Sequence, residues 1–548
     1  MRKGSDPLDI VRNTGPGGVA GILSRRAEET PDAVFLIDRD RSWSYAEVAS
    51  HARALACAFR GLGVESGDRI AIDLPNCPEF VIAALSAAAI GATVVPLNPD
   101  SSPRELQFVL RNTEAVAVVT VERHGEVDYL ELFESLIPDL PGLQYLVTVG
   151  EEDLWYDDRI FQFEDLVSSG RGQSFTPTDV DPGSPYAILY TAGTSAKQKG
   201  VVLTHASLAD TARATAAAIG LGEADLTLCS VPLFNIFGLG AALLTTLVSA
   251  SALVLQERFD ADGALDLIER HGVTVLHGVP TMFVLIQRAQ QARPRDLSRL
   301  RTGIIAGAPV SEDLIVALRS GLVPDLEIAY GLTETSPTVT ITRPSDPVVA
   351  RTQTVGRALD GVEVRVVAED GSPLPVESVG EIVVRGFNVM QGYFRQPAAT
   401  EAAFAEDGFL RTGDLGMIDA EGYLHIVGRM SDMIIRGGYN VVPREVEDHL
   451  RSLPAVHEVV VVGVPDDVLG ERVCACVVPV EGAIVTGEEI RESCRSALAE
   501  YKVPDAVLFL DELPVTPGGK IHRAEVSRRL RESASARGGG DGDRRERT

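Results

Sequence analysis

The chain has 548 residues, more than one hydrophobic core usually serves, so two or more domains are expected. Hydrophobic residues at 45% and charged residues at 23% describe a globular protein. The 78 acidic against 50 basic side chains leave a formal charge of −28, which opposes binding to nucleic acid or to an anionic membrane surface. Six scattered cysteines without a CxxC pair argue against a disulfide framework and fit a reducing cytoplasm.

The opening MRKGSDPLDIVRN has two basic residues and no apolar run after them, so it does not read as a secretory signal, and residues 1–15 read as a tail. Ser44 to Glu47 forms a capping-box pattern, and Val48, Ala52, Leu55, Phe59 and Leu62 recur at helical spacing until Gly61 and Gly63. Arg69 to Leu74 reads as a strand, Pro78 to Ile90 as a helix and Thr93 to Pro96 as a strand. Ser101 and Ser102 before Pro103 start another helix, and Ala115 to Val121 reads as a buried strand. Strands alternating with helices predict parallel α/β layers. Phe80 to Leu97 and Gly238 to Leu255 are long apolar runs, but interrupting Gly, Ser and Thr favour a buried helix plus strand over a membrane span.

After Gly428 a compact set of elements begins. Glu458 to Val464 and Val473 to Val480 read as strands, the second with Cys474 and Cys476 on one packed face, and Thr486 to Glu489 caps a helix through Leu498. This predicts a small α+β domain. From Glu532 the tail has no apolar residue beyond alanine and reads as disordered.

The run Tyr190 to His205, YTAGTSAKQKGVVLTH, is the richest in chemistry. Thr191, Gly193, Thr194 and Ser195 offer hydroxyls and open backbone N–H groups, and Lys197 and Lys199 add positive charge, a set suited to a polyphosphate. It is not a Walker loop, because Gln198 precedes Lys199 and Gly200 follows it. Alone, it reads equally as a glycine-rich hairpin turn.

The run closely resembles the phosphate-binding signature of the adenylate-forming (AMP-binding) superfamily, which includes acyl-CoA synthetases and aryl-CoA ligases. Four further motifs follow in the family's order: YGLTET at Tyr330 to Thr335, RTGDLG at Arg411 to Gly416, GRMSDMIIRGGYNVVPREVE at Gly428 to Glu447, and PVTPGGK at Pro514 to Lys520. The resemblance implies a large N-terminal region of layered α/β subdomains, with mixed sheets and a small β-barrel-like part, over 16–430. A mobile α+β C-terminal lid over 431–532 hinges near Ser431, and a disordered tail covers 533–548. It also implies a cytoplasmic enzyme that uses ATP, Mg²⁺ and CoA to convert a carboxylic acid into an acyl-adenylate and then a thioester. Transfer to an acyl carrier protein is the first alternative and a non-catalytic nucleotide-binding module the second.

Residue by residue, the resemblance puts Lys520 against the reacting carboxylate and α-phosphate, Thr333 against phosphate and Glu334 on Mg²⁺. Gly307, Ala308, Pro309, Tyr330 and Gly331 wall the adenine, Asp414 accepts the ribose hydroxyls, and Arg429 adds a ribose or phosphate contact. Gly437 and Gly438 line the pantetheine tunnel. Each has a plainer reading beside it: Tyr330 as a core aromatic, Asp414 and the two glycines as turn residues, Arg429 as a solvated boundary residue.

The chain departs from the family pattern at four places. Ala196 and Gln198 replace the usual Gly and Pro of the phosphate loop, and Ser431 replaces the usual hinge Lys or Asp. Asn235, in PLFNIFG, stands where a His or aromatic usually borders the acyl pocket, which implies a wider pocket or altered gating.

Overall fold

The computed structural model describes residues 18–125, 127–150, 158–191, 198–436, 439–466, 469–515 and 521–537. The chain divides into two compact units, one of Met1–Val364 with Val384–Arg411 and the other of Arg365–Val383 with Thr412–Thr548. The chain therefore passes between units well before the expected boundary at 430.

The first unit holds two large mixed sheets. One has nine strands in the order Arg357–Ala358, Thr338–Ile341, Asp325–Gly331, Thr302–Ile305, Val275–Leu276, Leu226–Cys229, Ala252–Leu255, Val34–Asp38 and Arg41–Ser44. The six from Asp325–Gly331 to Val34–Asp38 are parallel. The other has eight strands, Gly392–Tyr393, Lys199–Thr204, Pro185–Thr191, Thr93–Pro96, Arg69–Asp73, Ala117–Val121, Tyr145–Val149 and Ile160–Gln162. Its last six are parallel.

The predicted helices form for the predicted reasons. Ser44 and Glu47 make the reciprocal capping box that starts Tyr45–Gly61, and Ser102 and Glu105 do the same for Pro103–Thr113. Pro78–Ile90 is buried at every position except Glu79, as an alanine-rich helix without a polar face must be. One continuous core joins it, together with Gly18–Glu29, Tyr45–Gly61 and His205–Ala218, to residues of both sheets. The run from Gly238 to Leu255 is helix plus strand, but its first part, Phe237–Leu244, is π-helical. Among the described residues no helix is long and apolar enough to cross a membrane.

A buried ionic network fixes the strand that carries YGLTET. Glu327 is fully buried and accepts from Thr342 Oγ1 at 2.6 Å and from Arg351 at 2.5 Å, while Arg351 also reaches Asp325 at 3.0 Å. Burial raises the Glu327 pKa against the opposing pull of Arg351. Arg351→Ala strands that carboxylate, and a destabilisation of roughly 3 kcal/mol is expected from an unpaired buried charge. Thermal unfolding of the purified variant checks this, and an unchanged melting curve would show that Arg319, 3.6 Å from Glu327, compensates.

The second unit has two sheets. A four-stranded one runs in the order Val362–Val367, Gly380–Gly386, Leu410–Ile418, Leu424–Arg429, and its first three strands contain the points where the chain changes unit. This sheet is open, where a barrel-like part was expected. The other is the predicted α+β element, with five strands led by the pair Val456–Asp466 and Gly470–Pro479.

Strand alternation sends Val459, Val461, Ala475 and Val477 to one core and Val460, Val462, Cys474 and Cys476 to another. The first core is covered by helices Pro443–Arg451 and Gly487–Ala497. The second is covered by Arg523–Arg537, a helix that extends past Glu532, where the sequence reads as tail.

Candidate active site

The stems of the phosphate-loop run form an antiparallel pair, with Tyr190 opposite Gly200 and Thr191 opposite Lys199. Gly193, Thr194, Ser195 and Ala196 lie outside the described residues. A Cβ on Gly200 would stand 2.9 Å from Ile188 Cγ2 and from the Tyr190 ring, so glycine is needed for the two strands to close. Tyr190 Oη donates to Asn112 Oδ1 at 2.5 Å, and its ring meets Phe108 edge-on at 6.2 Å. A third strand, Gly392–Tyr393, pairs with Val201 and Val202, and Phe394 N donates to Gly200 O at 2.7 Å.

That third strand supplies a residue the sequence motifs do not point to. Lys199 Nζ lies 4.7 Å from the centroid of the Tyr393 ring, and Tyr393 Oη donates to Glu334 Oε1 at 2.9 Å. Burial and the Glu334 carboxylate both push the phenol pKa up, so it remains a donor. Glu334 sits in the 3₁₀ turn Thr333–Thr335, with Thr333 and Glu334 half-buried. The turn is pinned by Leu332 N donating to Thr335 Oγ1 at 2.9 Å and Met390 N donating to Glu334 O at 2.9 Å. Lys199, Tyr393 and Glu334 therefore stand in one row, although the chain separates them widely.

The adenine-wall candidates end two neighbouring parallel strands, in register at Ile305 and Ile328. Thr302–Ile305 leads to Gly307, Ala308 and Pro309, all exposed, and Asp325–Gly331 ends in Tyr330 and Gly331, both half-buried. Gly307 has φ +85°, a conformation that favours glycine, and a Cβ on Gly331 would lie 1.7 Å from Pro337 O. The carboxyl ends of parallel strands are where open α/β sheets bind ligands.

Asn235 is exposed and leads into the π-helical run. A Cβ on Gly238 would stand 2.1 Å from Pro232 O, so the PLFNIFG turn closes only on glycine.

In the second unit Asp414 is buried, and Arg429 Nε donates to its Oδ1 at 2.7 Å across paired strands. Arg429 is thus a direct partner of Asp414. Ser431 lies in a short 3₁₀ turn, Met430–Asp432. Gly437, Gly438 and Lys520 lie outside the described residues; Val515 and Ile521, which flank 516–520 in the chain, form an antiparallel bridge.

A family model described as AMP-binding enzyme matches residues 23–394, and its companion, AMP-binding enzyme C-terminal domain, matches 445–520. This chain belongs to the AMP-binding enzyme family. Among its relatives is a feruloyl-CoA synthase of Amycolatopsis sp, 34% identical over 94% of this chain and 99% of that protein. Another is the mitochondrial medium-chain acyl-CoA ligase ACSF2 of Bos taurus, 30% identical over 93% and 87%. The ATP-bound crystal structure of MatB from Rhodopseudomonas palustris superposes with a TM-score of 0.84, at 30% identity over 94% of this chain and 98% of that one.

As a member of the AMP-binding family, the protein is an AMP-forming acid–thiol ligase. It activates a carboxylic acid with ATP to an acyl-adenylate, releasing pyrophosphate, and passes the acyl group to CoA, releasing AMP.

Proposed function

We propose that the row Lys199–Tyr393–Glu334 is the phosphate end of the ATP site. It carries the assignment because it joins the stem of the phosphate-binding run to the acidic residue of YGLTET through one intervening side chain. Thr191, Gly193, Thr194, Ser195 and Lys199 hold the phosphates, and Thr333 adds a hydroxyl. Gly307, Ala308, Pro309, Tyr330 and Gly331 take the adenine. Asp414 accepts the ribose hydroxyls, with Arg429 holding its carboxylate in place.

Glu334 is the residue suited to Mg²⁺, a hard cation that takes carboxylate oxygen together with phosphate and water oxygens. Tyr393 occupies only Oε1, so the carboxylate is oriented and retains acceptor capacity. The ion would neutralise charge on the phosphates. Lys520 supplies the positive charge at the reacting carboxylate and α-phosphate, where negative charge builds during attack. Gly437 and Gly438 let the thiol arm approach the backbone closely, and the segment 431–532 is the part that moves between the two half-reactions.

Asn235 borders the acid, and its small amide favours an acid bulkier than a His there would admit. The relatives' names make substituted cinnamic acids and medium-chain fatty acids the first to try. Pyrophosphate release is measured with each acid, followed by thioester formation with CoA or with a phosphopantetheinylated carrier protein. Thioester on CoA is expected; thioester on the carrier protein alone would move the acceptor assignment to that protein.

A further inference from the structure

The strand Val275–Leu276 lies beside Thr302–Ile305 in the nine-stranded sheet and ends in His277 and Gly278. Gly278 N donates to Ile304 O at 3.0 Å and Ala306 N to Gly278 O at 3.3 Å, so His277 sits one strand away from the Gly307–Pro309 wall. Its side chain is fully buried, and Nδ1 accepts from Ile304 N at 3.1 Å. That bond requires a lone pair on Nδ1, so the proton of the neutral ring is on Nε2. Burial pushes the ring pKa down to about 4, which keeps it neutral near pH 7. Nε2–H is therefore a buried donor, and it has no acceptor among the described residues.

The His277 and Phe237 rings have their centroids 6.3 Å apart, and Phe237 opens the π-helical run Phe237–Leu244. Such turns are uncommon and concentrate at functional sites. Exposure falls from Asn235, exposed, through Phe237, half-buried, to His277. On another flank of the same run, a Cβ on Gly240 would stand 2.7 Å from Pro337 Cδ and 3.4 Å from Ser336 O. Ser336 Oγ is buried and also without a partner among the described residues. Two orphaned polar groups thus flank one π-helical run beside the adenine wall, and a buried polar group left unpaired is costly unless a ligand pairs it.

We propose that His277 is a specificity-determining residue whose Nε2–H donates to an ether, hydroxyl or keto oxygen on the tail of the carboxylic acid. The inference rests on the ligase reading above and names the class of acid: one with an acceptor oxygen remote from its carboxylate. A plain hydrocarbon tail leaves the donor unpaired, while an oxygen-bearing tail gains a hydrogen bond in a site closed to water.

The test uses the full-length protein and matched acids, meta- or para-methoxycinnamate against the corresponding ethylcinnamates, and keto-octanoates against octanoate. Pyrophosphate release should favour an oxygenated member roughly tenfold in kcat/KM. His277→Phe should bring the ratio close to one, and His277→Gln, which keeps an N–H donor, should retain part of the preference. As a readout independent of any variant, the His277 Nε2–H resonance should shift when the preferred acid binds with a non-hydrolysable ATP analogue and stay in place with its hydrocarbon match. Equal rates within every pair, an unmoved resonance, or a preference that survives His277→Phe would overturn the proposal. If no acid of any kind releases pyrophosphate, the ligase reading itself fails.

Discussion

Lys520→Ala is expected to slow acyl-adenylate formation on the order of 10²-fold or more, the scale seen when a preorganised charge at a developing anion is removed. Attack of a carboxylate on the α-phosphate brings two anions together and spreads charge over phosphate oxygens, so a fixed cation there helps more in the transition state than in the ground state. Thioester formation from preformed acyl-adenylate should change little, because its electrophile is an uncharged mixed-anhydride carbonyl. Single-turnover measurement of each half-reaction separates the two. Equal slowing of both steps would mean that the loss is structural, and a wild-type adenylation rate would remove Lys520 from the site.

Glu334→Gln is expected to have the next largest effect, about 10²-fold on adenylation at limiting Mg²⁺. The amide keeps the volume, and its carbonyl oxygen still accepts from Tyr393 Oη, so the turn Thr333–Thr335 should hold. What is lost is the charge that attracts the cation. Raising Mg²⁺ should therefore recover part of the rate. Tyr393→Phe frees the carboxylate without removing its charge, and a smaller loss, roughly tenfold, is expected from one hydrogen bond to a charged acceptor. A Glu334→Gln defect that ignores Mg²⁺ would point to a structural role.

Local signals carried the parts of the fold that depend on near neighbours in the chain. The capping boxes at Ser44, Ser102 and Thr486 are two-residue devices, and each starts the helix expected of it. The faces of Cys474 and Cys476 follow from period two alone. The π-helical run was not legible, because the close approach of Gly240 to Pro337, 97 positions away in the chain, depends on tertiary packing.

Arg523–Arg537 outran the reading of its low-apolar end as tail. Its first turns are supported by Glu525, which bonds Arg528 and Arg529 at helical spacing, a support that apolar content does not register. At the site, motifs located Lys199 and Glu334, but Tyr393 belongs to no signature. Its value comes from a third strand that only the folded sheet brings alongside.

Two-step adenylation and thioester formation is tested most directly by carboxylate-dependent exchange of labelled pyrophosphate into ATP by the purified protein without CoA, followed by product analysis once CoA is added. An adenylate-forming ligase gives exchange with the acid alone, through a reversible acyl-adenylate, and then acyl-CoA with one AMP per thioester. Exchange that never depends on an acid, or release of ADP and phosphate in place of AMP and pyrophosphate, would contradict it.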